Sequence, residues 1–214
     1  ETERRLAGNF IKMVGDPNAT FGITNGNPLW EEMLEAARMT QPTFLVNVAL
    51  NRDKQIARVF AGELYAAHQA GCAFVGECSM VPVPAPFDIV ITSNSGYPLD
   101  LNLYQAVKGM TAAAQVVRQG GAIIVAAECW DGIPDHGPFG KLLRQFKSAA
   151  EALAAVESPG FVSADQWQVQ TLAKVRLKAD VYVRADGLSD EQITQSLLKP
   201  CRCIEDTVSA LTAN

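Results

Sequence analysis

The chain of 214 residues has 18 Lys and Arg against 23 Asp and Glu, a net charge of −5 and a pI near 5.1, which excludes the clustered cations that a nucleic-acid partner needs. Hydrophobic residues make up 48% and charged residues 19%, the balance of a packed globular protein rather than a disordered one. The charged start, Glu1-Thr2-Glu3-Arg4-Arg5, lacks the apolar segment of a signal peptide, and no run approaches the roughly 20 apolar residues of a membrane helix, so a cytoplasmic protein away from membranes is expected.

In chain order, residues 1–27 read as a short helix and a polar loop. Pro28 to Met39 reads as a helix, with Pro at an early position and Leu29, Met33, Leu34 and Ala37 at helical spacing. Phe44 to Leu50 and Ile56 to Phe60 read as two strands hairpinned through Asn51-Arg52-Asp53. Gly62 opens a helical stretch to about Cys78. Three prolines in residues 81–86 form a stiff linker, and a domain boundary is placed there. Asp88 to Thr92 is a continuous apolar strand of the kind buried on both faces. The turn Ser93-Asn94-Ser95-Gly96-Tyr97-Pro98 leads to a helix over Leu101 to Arg118, ended by Gly120-Gly121. Ala122 to Ala126 is another buried strand. Helices over Phe139 to Val156 and Asp165 to Val175, a strand over Asp180 to Val183, a helix capped by Ser189 or Asp190, and a last helix over Ile204 to Leu211 follow. Strands alternating with helices imply an α/β protein with a mostly parallel, three-layer sheet.

In open parallel sheets, ligands bind at the carboxyl ends of strands. Ser93 and Ser95, small hydroxyls beside a glycine and before a helix, suit an anion cradle at the helix N-terminus; an ordinary polar turn is the other reading. Gln105 and Lys108, three apart, share one helical face, backed by Leu103, Val107 and Met110 on the apolar side. An amide and an ammonium pointing one way suit a small carboxylate or hydroxy acid; a solvated polar face is the alternative. The five cysteines follow no disulfide framework, and Cys201-Arg202-Cys203 lacks the second Cys/His pair of a metal site. His68 reads as structural. His136, in a loop on the ligand side, is a weaker candidate.

The run Asp88-Ile-Val-Ile-Thr-Ser-Asn-Ser-Gly-Tyr-Pro-Leu-Asp-Leu-Asn-Leu-Tyr-Gln-Ala-Val-Lys-Gly-Met110 resembles the strand–turn–helix segment of the nickel-dependent lactate racemase family. Gly26-Asn27-Pro28, Glu31-Glu32-Met33, Glu35-Ala36-Ala37, Ala61-Gly62 with Ala67-His68, Ala127-Glu128-Cys129 and Asp165-Gln166-Trp167-Gln168 are similar to further stretches of it, in order over most of the chain.

The resemblance implies an isomerase, a racemase or epimerase of 2-hydroxy acids. Its nickel pincer nucleotide, a nicotinate-derived cofactor tethered to a lysine, takes a hydride from the α-carbon while a histidine removes the hydroxyl proton. The flat keto acid is then reduced from the other face. In that scheme Gln105 and Lys108 are the catalytic pair that holds the carboxylate and carbonyl oxygens, Lys108 also steadying developing oxyanion charge. Tyr104 lies beside them, Ser93 and Ser95 join the substrate side, and Trp167 walls the pocket against water. The cofactor lysine and the two acid–base histidines fall upstream of Glu1, itself not a Met. The chain is therefore expected to be a C-terminal portion: residues 1–84 the incomplete α/β tail of a catalytic, cofactor-binding domain, and residues 85–214 a substrate-clamping domain. It is expected to be inactive alone and to carry no cofactor of its own. Its partners are the 2-hydroxy acid and the N-terminal domain. The family's nickel-ligating histidine corresponds to Phe10, which cannot bind a metal. The rival reading is a stand-alone or degenerate non-catalytic α/β module that binds a small anion through Ser93, Ser95 and Lys108.

Overall fold

The computed structural model describes residues 2–134 and 137–213, with side chains from Asn9 onward. The chain divides into two compact units: Gly15–Val83, and Glu1–Val14 together with Pro84–Asn214. Helix α1 (Thr2–Gly15) thus belongs, up to Val14, with the later part of the chain.

The unit Gly15–Val83 starts from α2 (Pro28–Met39), where Asn27 Oδ1 accepts the N–H groups of Leu29 and Trp30 and Pro28 occupies the first turn, a position that needs no N–H donor. Strands β1 (Leu45–Leu50) and β2 (Ile56–Gly62) pair antiparallel. Their turn is held by Asn51 Oδ1, which accepts from Asp53 N and Gln55 N. Helix α3 (Leu64–Ser79) packs on this hairpin. The strands still leave Val46, Val48 and Val59 exposed.

The larger unit is built on a parallel sheet of β3 (Phe87–Ser93), β4 (Val117–Ala126), β5 (Ala179–Arg184) and β6 (Lys199–Pro200), in that spatial order. Parallel neighbours require crossovers. These are α4 (Leu103–Ala113); then α5 (Phe139–Leu143), α6 (Ala149–Val156) and α7 (Gln166–Lys178); then α8 (Asp190–Gln195). Helix α9 (Ile204–Thr212) follows β6. Ile123, Ile124 and Val125 are consecutive and all fully buried, so β4 is covered on both faces. Around them pack Leu103, Val107 and Met110 of α4, Val169 and Leu172 of α7, and Val181 and Val183 of β5. Each such side chain stabilises the fold by about 1.5–3 kcal/mol.

Three expectations change, and one strand was not expected. Strand β3 is not buried on both faces: it is an edge with β4 as its one neighbour, and Ile91 is 56% exposed. Helix α4 stops at Ala113 rather than Arg118, because Val117 to Gly121 already run as the start of β4, and Gly120-Gly121 lie inside that strand. A Cβ on Gly121 would come within 2.7 Å of the Asp88 carbonyl oxygen, so this glycine serves strand approach rather than a helix end. The helix expected over Phe139 to Val156 is two, because Ser148 Oγ caps Glu151 N while the Glu151 carboxylate accepts from Lys147 N. Finally, β6, only two residues long and containing Pro200, has too little apolar pattern to be read from sequence. Among the described residues no helix is long and apolar enough to cross a membrane.

Candidate functional site

The site is organised by α4. Asn102 caps it, with Oδ1 accepting from Gln105 N at 3.1 Å and Nδ2 donating to Asp131 Oδ2 at 3.1 Å. Leu103, Ala106, Val107, Gly109 and Met110 are buried, which leaves Tyr104, Gln105 and Lys108 on the outward side. At α8, Gln192 at the third helical position bonds back to Ser189 and completes a capping box. Gln105 has the same position on α4, yet its side chain makes no such bond, and among the described residues it has no hydrogen-bond partner. Lys108 is exposed and likewise lacks a hydrogen-bonding or ion-pair partner among the described residues. An amide with both hydrogen-bonding senses and an ammonium stand one turn apart, each able to engage a ligand oxygen.

Gly109 sets where this face lies. A Cβ there would sit 2.6 Å from the Ser93 carbonyl oxygen and 3.5 Å from Asn94 N. Only glycine lets the helix backbone approach the carboxyl end of β3 this closely. The carboxyl end of β3, where the loop 94–102 begins, is therefore held against α4 at Gly109. Ser95 and Gly96 have φ of 65° and 73°, Ser93 Oγ accepts from Ser95 N at 3.4 Å, and Asn94 Nδ2 donates to Leu99 O. Ser93 and Ser95 are both exposed. The loop's far end is anchored by Asp100, which is 4% exposed. Its Oδ2 accepts from Glu128 N and its carbonyl accepts from Cys129 N, each at 3.0 Å.

The anion cradle is not formed as the sequence suggested. The helix begins at Leu103, not directly after Gly96, and its first N–H groups are taken by the Gly132 carbonyl and Asn102. Ser93 and Ser95 sit at the strand's end, alongside the helix rather than over its positive pole. The strand order also never reverses, so the described sheet has no switch-point crevice.

Tyr104 joins this face to a second group. Its ring meets Phe139 edge-on at 5.3 Å, and Gln168 Nε2 donates to its carbonyl at 2.6 Å. Burial raises its phenol above the ordinary value, the Asp165 carboxylate adds to this, and a hydrogen bond from Trp167 opposes it. Trp167 in turn meets Phe10 edge-on, centroids 5.8 Å apart and planes at 88°. The structure thus gives two edge-on pairs, Tyr104 with Phe139 and Phe10 with Trp167, joined through Gln168, the neighbour of Trp167, at the Tyr104 carbonyl.

Residues that sequence reasoning passed over carry much of this geometry. Gly109 had a signal, a glycine inside a helical pattern. Asn102 had another, a capping residue three before Gln105. Asp100 gave none, and Asp165 reads only as the start of a helix and part of a family-like stretch. Asp165 adopts φ 62°, and its Oδ2 would lie 2.7 Å from a Cβ on Gly137, a pairing of two distant loops. His68 contacts Cys72 Sγ at 3.4 Å and tilts over Trp30 at 5.9 Å, a packed helix residue. His136 lies outside the described residues. Cys201 Sγ meets Thr207 Oγ1 at 3.2 Å and Cys203 Sγ donates to Glu205 at 3.2 Å. Among the described residues no three His, Cys, Asp or Glu gather as a metal site.

Comparison with known proteins decides the family. Residues 83–213 match the model of the lactate racemase C-terminal domain. The chain belongs to the lactate racemase family. It is 36% identical over 199 residues to a lactate racemase of Thermoanaerobacterium thermosaccharolyticum, covering 92% of this chain and 46% of that protein. It is 36% identical over 205 residues to a lactate racemase of Lactiplantibacillus plantarum, covering 95% and 48%. The solved structure of the T. thermosaccharolyticum lactate racemase apoprotein superposes with a TM-score of 0.87 at 33% identity, over 97% of this chain and 50% of that one. A Thermotoga maritima protein at 13% identity and TM-score 0.58 shares the fold alone. The chain spans about half the length of the lactate racemases it matches.

Proposed function

We propose that this chain supplies the substrate-holding part of a 2-hydroxy acid racemase or epimerase, with lactate or a relative as substrate. The observation that carries the reading is the Gln105–Lys108 pair, unpartnered among the described residues on the outward side of a helix pinned to the end of β3. Lys108 offers the charge for a carboxylate and for an oxygen that gains negative charge in the transition state. Gln105 offers an amide that fixes its orientation. Tyr104 stands beside them, Ser93 and Ser95 extend the polar side, and Trp167 with Phe10 supplies an apolar wall that keeps water out. The domain reading is part of the same proposal: residues 85–214 clamp the substrate, and the exposed valines of the β1–β2 hairpin favour residues 1–84, apart from α1, which joins the later unit, as the tail of a larger catalytic domain whose remainder is the protein partner.

Membership of the family implies a nickel pincer cofactor in full-length members. Phe10 stands where the resemblance puts a nickel-binding histidine. Its ring has no donor atom, and its contact is with Trp167. The residue does not fit a metal ion, so the chemistry assigned to this chain is binding, orientation and exclusion of water. Phe10 also favours a second reading, a degenerate module that binds a small anion without turning it over.

Interconversion of D- and L-lactate by the full-length protein, followed by chiral chromatography, separates the two. The first reading expects interconversion, with Lys108→Ala lowering turnover by about 100-fold or more at an unchanged melting temperature. Near-normal turnover in Lys108→Ala would remove this residue from the mechanism, and lactate binding without interconversion would establish the second reading.

A further inference from the structure

Helix α1 and helix α7 are separated by some 150 residues, yet three contacts register them. Phe10 meets Trp167 edge-on at 5.8 Å. The Ile11 carbonyl accepts from Gln170 Nε2 at 3.0 Å. The Val14 carbonyl, one of the last four of α1 and so without a partner inside its helix, accepts from Lys174 Nζ at 3.3 Å. Residues 167, 170 and 174 form one stripe of α7, and 10, 11 and 14 the facing stripe of α1. The pairs run in the same order, so the last turn of α1 meets α7 in one register.

Gln170 is the centre of this clasp. It is 0% exposed. Besides Ile11 its amide nitrogen donates to Glu157 Oε1 at 2.9 Å, which brings in the end of α6. Its Oε1 is buried with no donor. A methionine or leucine would fill similar space without an orphaned oxygen, whose burial destabilises the fold. The amide is retained for the bonds its nitrogen makes.

We propose that Gln170 is a positioning residue for the ligand site: it locks α1 onto α7 so that residue 10 stands against Trp167, beside Gln168, whose amide holds the Tyr104 carbonyl. The Phe10–Trp167 pair is ordered from behind, by a buried amide. Because Phe10 is still 38% exposed, the wall it forms offers a ligand apolar surface. Only this last consequence rests on the proposed hydroxy-acid site; the clasp itself does not.

The test uses this chain with Trp30→Phe and Trp130→Phe, which leaves Trp167 as the one tryptophan of three. Gln170→Met keeps length and removes the donors. Phe10→Ala removes the wall. Each is expected to shift Trp167 emission to longer wavelength and to increase acrylamide quenching, with far-UV circular dichroism unchanged. The double variant is expected to go no further than the larger single change, because both break one linked contact. Unchanged quenching in Gln170→Met, or effects that add, would overturn the proposal. If Gln170→Met does not fold, Lys174→Met loosens the same clasp from its end and is expected to move Trp167 in the same direction; no movement overturns the proposal equally. Lactate titrated into the same background distinguishes the two ideas: a non-additive cycle with no lactate response supports the clasp and counts against the ligand reading alone.

Discussion

Cys129 is fully buried at φ 50°, on the turn that Asp100 ties to the β3–α4 loop. Burial pushes its thiol up to about 12, and the carboxylates of Asp100 and Glu128 push in the same direction. The folded value lies above the unfolded one, so the contribution to stability is whole below about pH 9 and is lost as pH rises from 9 towards 12. The urea midpoint is expected to fall over that window, and Cys129→Ala to start lower but fall less steeply; equal slopes would contradict the assignment. At this scale the sequence exposed the residues that reach outward. The spacing of Gln105 and Lys108 places them on one helix face, while Tyr104 and Trp167 come only from the family resemblance. Asp100, Asp165 and Gln170 act through partners 13 to 159 residues away, and no local pattern encodes such pairings.

Helix α4 shows how an element was read well in kind and poorly in extent. Its apolar residues at 103, 106, 107 and 110 mark a helix at period 3.6, and Asn102 starts it. Its end is set by β4, which claims Val117 onward because those residues ladder with β3 and β5, a tertiary pairing that outweighs helix propensity. The same competition leaves β6 unreadable: its two residues gain strand form only from Tyr182 and Val183 beside them. Gly109 is the element's point of contact with the sheet. Alanine is favoured over glycine inside a helix by about 1 kcal/mol, but here the new Cβ would meet a backbone oxygen at 2.6 Å. Overpacking costs about 1–3 kcal/mol, so the clash is expected to win. Gly109→Ala should lower stability in a denaturant titration and loosen α4 from β3. A gain in stability would mean that the helix does not lie against Ser93 as described.

The whole chain is two units that its sequence divides only in part. The proline-rich residues 81–86 mark one passage between them, at Val83. Nothing in the composition of residues 1–27 announces that α1 departs from the residues that follow it and joins α7, since that depends on Gln170 and Lys174 reaching its carbonyls. The family, by contrast, was legible, because the segment from Asp88 to Met110 is long and specific, and the match over residues 83–213 agrees with it. What the family alone does not supply is whether this chain, with Phe10 against Trp167, holds a 2-hydroxy acid. That rests on the outward face of α4. The most direct test is a titration of the isotope-labelled chain with L-lactate, read by amide chemical shifts. The account predicts saturable shifts at the Gln105 side-chain amide, at Lys108 and at the backbone of Ser93 to Gly96, all lost in a Gln105→Ala, Lys108→Ala double variant. Shifts confined to other surfaces, or shifts that survive in that variant, would contradict it.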